Sequence, residues 1–244
     1  EDELRGIAGA EVEGLGLLAA LFAREGTSFV RRLRGAFAFG LWDDHEHTLV
    51  AAVDQVGMRR LFYAVHPEGV AFASRLSVVA ATLGPERSIE PDTIYTYLNF
   101  GYVPAPRSPF AGVHRLPPGH LARVQNGQMR LEAYWDLQYT EQRLDPRATA
   151  VRTYTETATA VSRALRGCDP KSVGGFLSGG TDSSTVIGLM ARQGDEQVQA
   201  FSMGFSEEHY NELDHAVLSA RHFGAAHYTH IVTPEEAFGL VGRL

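Results

Sequence analysis

Residues 173–232 repeat one pattern: a short apolar run, then about a dozen residues with helical spacing, then another apolar run. Strands are expected over 173–177, 198–203 and 227–232, and helices over 182–193 and 212–223. Strands that alternate with helices of this length imply a parallel sheet with helices on its faces. The first strand runs into Phe176-Leu177-Ser178-Gly179-Gly180-Thr181-Asp182-Ser183-Ser184. A chain that leaves a parallel strand there emerges at the carboxyl edge of the sheet, where open α/β sheets bind ligands.

The residue types at that edge suit an anion. Two glycines allow a tight turn and close backbone approach. Ser178, Ser183 and Ser184 supply hydroxyl donors, and the next helix points its positive end at the same place. Asp182 is out of character among phosphate donors unless it helps to hold Mg²⁺. A plain strand-to-helix turn also uses glycines, but the Ser-Gly-Gly-x-Asp-Ser-Ser spacing between a strand and a helix favours a phosphate cradle. No lysine follows as in Gly-x-x-x-x-Gly-Lys-Ser/Thr, and Gly-x-Gly-x-x-Gly is absent. A nucleotide whose pyrophosphate is held and then released fits best.

The first half reads differently. Leu15, Leu17, Leu18, Leu21 and Phe22 have helical spacing, with Gly26 as a stop. Residues 33–42 predict a strand apolar on both faces, covered on each side within a layered sheet. Strands follow over 48–53, 61–65 and 70–73, with Pro67-Glu68-Gly69 as a hairpin and a short helix near 76–83. The prolines of residues 84–120, interleaved with Tyr97, Phe100, Tyr102 and Phe110, predict an ordered crossing loop. Asn126-Gly127 marks a hairpin between 121–124 and 129–134. Val151, Tyr154, Ala158, Val161 and Leu165 step by helical intervals, and a domain boundary is expected near 137–147.

At 244 residues the chain is about 1.6 times an average domain of 150 residues. Its formal charge of −7 lacks the basic footprint of a nucleic-acid binder. The apolar run Leu15 to Ala23 is too short to span a membrane, and the acidic stretch before it is the wrong charge for a signal peptide. A single cysteine, Cys168, excludes an internal disulfide framework and suits a reducing compartment. A soluble, cytoplasmic protein is expected, with no nucleic-acid or membrane partner. Cys168 reads as structural, and Asp43 to His47 as a solvated turn. His227 and His230, three apart on a strand, face opposite sides and cannot share a metal.

The loop Phe176 to Ser184 resembles the pyrophosphate-binding loop of N-type ATP pyrophosphatases, the synthetase half of the asparagine synthetase family. Ala200-Phe201-Ser202-Met203-Gly204-Phe205 is similar to that family's adenine-edging strand, and Tyr210-Asn211-Glu212 to its aromatic-Asp-Glu segment, with Asn211 in place of the Asp. Leu33 to Phe39, Trp42-Asp43, Gly101-Tyr102-Val103-Pro104, Leu116-Pro117-Pro118-Gly119-His120 and Tyr134-Trp135-Asp136 resemble the end of the family's glutaminase domain and its connection to the synthetase. The resemblance covers the chain from about residue 11 onward.

That resemblance implies two domains. Residues 1–140 would be a partial glutaminase-type domain with its connecting segment, an α+β layered, partial Ntn-hydrolase αββα fold. Residues 147–244 would be the first part of a Rossmann-like, parallel-sheet ATP pyrophosphatase domain. The implied chemistry is adenylation of the aspartate side-chain carboxylate by ATP with Mg²⁺, then attack by ammonia from glutamine; a homodimer is the implied assembly. Leu177, Ser178, Gly179, Gly180, Asp182, Ser183 and Ser184 would hold ATP and its pyrophosphate, with Asp182 an indirect Mg²⁺ partner. Met203 and Gly204, with Leu177, would bind adenine. Glu212 has two readings: an acid at the active site, or a favourable first-turn helix acid.

The departures carry equal weight. The family's glutaminase begins with a nucleophilic cysteine. Leu4-Arg5-Gly6-Ile7-Ala8-Gly9 resembles that start with Arg5 in its place, or is a chance match. The glutamine-binding His-Arg-Gly-Pro-Asp and Asn-Gly-Glu-Ile-Tyr-Asn stretches are missing, so this chain is expected not to hydrolyse glutamine. The chain starts at Glu1 and stops at Leu244, so a fragment is expected, whose unfinished sheet would aggregate or find a partner. Two alternatives stand beside asparagine synthesis: a β-lactam or lasso-peptide-type synthetase of the same fold, and a non-catalytic remnant.

Overall fold

The computed structural model describes residues 14–85, 87–141, 144–194, 196–207, 209 and 211–243. The chain divides into two compact units, residues 1–140 and 141–244. The resemblance of Leu4 to Gly9 to a glutaminase start lies outside the described residues, as does Tyr210.

In the first unit the elements are α1 (Leu15–Glu25), β1 (Ala38–Asp43), β2 (Thr48–Val53), β3 (Phe62–His66), β4 (Gly69–Ala73), α2 (Leu76–Ala81), α3 (Pro91–Phe100), β5 (Val113–Arg115), β6 (His120–Gln125) and β7 (Gln128–Ala133). Among the described residues, two antiparallel sheets form, in the orders β1-β2-β6-β7 and β4-β3-β5. Alternation along the strands sends neighbouring side chains to opposite faces, and three cores result. Leu17 and Leu21 of α1 pack with Phe29, Ala52 and Leu121 on one face of the first sheet. Ala51, Val53 and Ala122, from its other face, pack with Leu61, Tyr63 and Leu116. Phe62, Ala64 and Val113, on the far side of the second sheet, pack with Val79 and Ala80 of α2. The layers are therefore helix, sheet, sheet, helix.

The strand expected over 33–42 is shorter. It starts only at Ala38, because bends and the positive φ of Gly35 (98°) precede it. Phe39 and Ala38 pack against the cores on its two sides, but among the described residues it lies at the sheet edge, with Trp42 exposed. Its neighbour β2 is more fully covered, with Val50 to Val53 all buried. The proline-rich region holds a helix, α3, where only a loop is expected. Pro91 starts it and Gly101, left-handed at φ 71°, ends it, as prolines and glycines do at helix ends.

The second unit comprises α4 (Pro146–Leu165), β8 (Gly174–Phe176), α5 (Thr181–Gln193), β9 (Gln199–Phe205), α6 (Leu213–Phe223), β10 (Ala226–Val232) and α7 (Pro234–Leu240). Asp145 caps α4 by accepting from the Arg147 and Ala148 N–H groups. The strands form a parallel sheet in the order β10-β9-β8. Leu177, Ile187, Ala200, Ala216 and Ala220 make one core, which places α5 and α6 on the same face. Helices on both faces are thus not found among the described residues. Parallel crossovers share one hand, so two that step the same way across a sheet put their helices on one side. On β9 the consequence is strict alternation: Ala200, Ser202 and Gly204 are buried, while Phe201, Met203 and Phe205 are exposed.

Candidate functional site

β8 is shorter than expected. Leu177 keeps one ladder bond, its N–H donating to the Phe201 carbonyl at 2.8 Å, and the chain then turns away. Gly179 makes that turn at φ 86°. A Cβ there would stand 2.5 Å from His215 Cβ and 2.6 Å from the Ala216 nitrogen. The first glycine of the motif thereby lets the loop lie against the first turn of α6. Gly180 is the N-cap of α5, so the N–H groups of Thr181, Asp182 and Ser183 have no acceptor within the helix and point out of its positive end.

The hydroxyls organise the loop. Ser178 N–H donates to Ser183 Oγ at 3.2 Å and Gly180 N–H to Ser178 Oγ at 3.3 Å. Ser183 Oγ donates to the Gly180 carbonyl at 3.2 Å, and the Ser178 and Ser183 hydroxyls are 3.1 Å apart. Ser184 lies deeper, with its Oγ 3.0 Å from Ser219 Oγ on α6. Asp182 is exposed in the first turn of α5. It is the loop's one carboxylate, and no cluster of three or more His, Cys, Asp or Glu side chains that could hold a metal occurs among the described residues. A divalent ion at this loop would take most of its ligands from phosphate, as Mg²⁺ does.

Beside the loop, past the end of β8, lies a groove of about 280 Å³. Phe176, Leu177, Phe201, Met203, Phe205 and Leu213 make its apolar walls, and Ser178 and Glu212 its polar rim. Leu177, Ser178, Met203 and Glu212 are thus brought together from three separate segments. Gly204 goes elsewhere: it is buried on the helix side of β9, where a Cβ would lie 2.4 Å from Leu213 Cδ1. Glu212 is the N-cap of α6 but its side chain makes no cap bond. That bond is made by Asn211, whose Oδ1 accepts from the Leu213 N–H at 3.2 Å.

Three aromatic walls of the groove, Phe176, Phe201 and Phe205, are not singled out by the sequence reading; Phe176 ends one apolar strand, and the alternation of Phe201, Met203 and Phe205 along another is also what a core strand shows. Ser202 is likewise missed, although a polar residue at a buried position needs a partner. Its Oγ lies 2.5 Å from the Leu177 carbonyl oxygen and 2.7 Å from His227 Nε2. His230 turns to Glu236, at 3.2 Å. Cys168 is exposed, with Sγ 3.7 Å from the Ala164 carbonyl. In the first unit, Asp43 closes the turn by accepting from the His45 and Glu46 N–H groups. No described helix is long and apolar enough to cross a membrane.

A family model described as a glutamine amidotransferase domain matches residues 11–135, and one described as asparagine synthase matches residues 153–244. A putative glutamine-hydrolyzing asparagine synthetase of Mycobacterium tuberculosis (strain ATCC 25618 / H37Rv) is 32% identical over 247 residues, covering 96% of this chain and 37% of that protein. Glutamine-hydrolyzing asparagine synthetase 1 of Bacillus subtilis (strain 168) is 29% identical over 207 residues, covering 84% of this chain and 32% of that protein. The amidase chyE of Penicillium rubens (strain ATCC 28089 / DSM 1075 / NRRL 1951 / Wisconsin 54-1255) is 34% identical over 188 residues, covering 73% and 27%. The chain spans roughly a third of the length of these curated relatives.

Proposed function

Because this chain belongs to the asparagine synthetase family, we propose that its second unit is the nucleotide-binding part of an ATP-dependent amide ligase whose acceptor is the aspartate side chain. The observation that carries this reading is the contiguity of two surfaces. A hydroxyl- and N–H-rich turn at a helix N-terminus, Ser178 to Ser184, adjoins an apolar groove edged by Leu177 and Met203. One suits a triphosphate, the other a purine face.

In the proposed reaction a carboxylate oxygen attacks the α-phosphorus, the bond to the bridging oxygen breaks, and pyrophosphate leaves. Ammonia then attacks the acyl carbon and AMP departs, leaving the amide. The N–H groups of Thr181, Asp182 and Ser183, with the loop hydroxyls, would meet the charge that develops on the leaving pyrophosphate, and the groove would hold the base in line. The contribution of these residues is positioning and fixed dipoles. Mg²⁺, when bound, supplies charge neutralisation on the phosphates, with Asp182 the residue that would face it.

The helix–sheet–sheet–helix layering of the first unit supports an Ntn-hydrolase-type glutaminase fold for it. Within these 244 residues the single cysteine, Cys168, stands mid-chain without a free amino group, so they contain no nucleophile for glutamine hydrolysis of that type. Ammonia is the proposed nitrogen source for reactions carried out by these residues.

Isotope exchange between ATP and pyrophosphate tests the reading in the full-length protein. Aspartate-dependent exchange is expected. Exchange with another carboxylate only would reject aspartate in favour of a β-lactam or lasso-peptide type of synthetase, and Mg·ATP binding without exchange on any carboxylate would leave a non-catalytic remnant.

A further inference from the structure

The loop that begins at Ser178 is anchored by a bond line that crosses all three strands of its sheet. β9 lies between β8 and β10, so a side chain on its helix-covered face reaches both neighbours. Ser202 occupies that place and is only 5% exposed. On one side it meets the Leu177 carbonyl, on the other the imidazole of His227 at the start of β10.

Proton counting fixes the direction of these bonds. A carbonyl oxygen only accepts, and a serine hydroxyl has one proton. That proton goes to Leu177, so the remaining contact is a lone pair of Ser202 facing His227, and Nε2 must carry the hydrogen. The Nδ1–H tautomer would put two lone pairs against each other at 2.7 Å. The Leu177 N–H is committed to Phe201. Both backbone polar groups of Leu177, the last residue before the loop, are therefore held, its N–H by the backbone of β9 and its carbonyl by this relay.

We propose that His227 is a positioning residue for the phosphate loop: by donating from Nε2 it commits the Ser202 proton to the Leu177 carbonyl, and so fixes the peptide that enters the loop and with it the loop hydroxyls and the helix N-terminus that follow. The proposal rests on the reading of that loop as a pyrophosphate cradle. Without the donor, the Ser202 hydroxyl is free to rotate and the carbonyl before the turn loses its anchor. Small misplacements of binding groups are costly.

The test uses the full-length protein, titrated calorimetrically with Mg·pyrophosphate and, separately, with adenosine, which fits the groove and carries no phosphate for the loop to hold. Ser202→Ala and His227→Ala are each expected to weaken Mg·pyrophosphate about fivefold, the worth of one hydrogen bond, and to leave adenosine unchanged. His227→Gln, which keeps an N–H donor at similar reach, and Ser202→Thr are expected to restore most of the loss. Imidazole nitrogen NMR of the neutral ring is expected to show the hydrogen on Nε2. Unchanged pyrophosphate affinity in both alanine variants, equal weakening of both ligands, or a hydrogen on Nδ1 would overturn the proposal. Should an alanine variant not fold, Ser202→Cys, close in shape and a weaker donor, is read in the same way. If the wild-type protein binds neither ligand, the reading of the loop fails. The relay is then decided by amide exchange at Gly179 and Gly180, which quickens in His227→Ala if His227 positions the loop and stays unchanged if it does not.

Discussion

Gly179 and Asp54 show how single positions carry more than their own contacts. At Gly179 a positive φ of 86° coincides with a backbone approach so close that a Cβ would sit 2.6 Å from the Ala216 nitrogen. Gly179→Ala is expected to destabilise the second unit by about 2 kcal/mol or more, from left-handed strain plus overlap, and to abolish Mg·ATP binding; denaturant melts and calorimetry check both. Asp54 is 1% exposed, and its carboxylate accepts from the N–H groups of Val56, Met58 and Arg59 at 3.2, 2.9 and 2.9 Å. Burial alone raises a carboxyl group's pKa, but here the Arg59, Met58 and Val56 donors outweigh it and hold Asp54 below the ordinary carboxylate range. Because the folded value is the lower one, the stabilisation is complete above the unfolded value and is lost as pH falls through the folded one. The first unit is thus expected to weaken on acidification below about pH 4. Asp54→Ala should remove that dependence and cost about 3 kcal/mol, since it orphans three N–H groups; melts at neutral and acidic pH decide it. Neither role is legible in sequence: the glycine pair announces a turn, not the helix lying on it, and a lone Asp after a strand looks like any surface acid.

Elements differ in how much of themselves they display. The hairpin of β6 and β7 is readable because Asn126 and Gly127, at φ 51° and 72°, supply both positive angles of its turn. Helix α3 is hard to read because it stands among prolines: Ile94, Tyr95 and Leu98 keep helical spacing, but they are exposed, and Thr93 is its one buried residue. β8, β9 and β10 are readable as strands, but their uneven cover is not. The two faces are expected to differ sharply in energy. Ile187→Ala, under the helices at 0% exposure, should cost about 3 kcal/mol. Phe176→Ser, on the opposite face at 77% exposure, should cost less than about 0.5 kcal/mol. A measured cost of Phe176→Ser comparable to that of Ile187→Ala would show that this face is covered in solution.

At the scale of the whole molecule, two units with different architectures meet in a stretch without regular structure between Trp135 and Glu141. Tyr139 there is 88% exposed, so brief chymotrypsin treatment is expected to cut first at Tyr139 or Leu137 and release two fragments, read by mass spectrometry; first cuts inside α4 or β6 would contradict that division. The two modes of organisation are visible in the sequence, as β-rich alternation before this stretch and strand–helix alternation after it, because periodicity is a local property. The anion loop is legible for the same reason: glycines, hydroxyls and a helix start act within nine residues. What the local pattern cannot contain is which strands become neighbours. The order β10-β9-β8 puts β9 in the middle, and that alone lets Ser202 touch both Leu177 and His227, turns Met203 into the groove, and turns Gly204 against Leu213. By itself the sequence determined the strand that ends in an anion-binding turn. Only the tertiary structure decided which side chains surround that turn, because adjacency across a sheet is set by the path of the crossovers and not by distance along the chain.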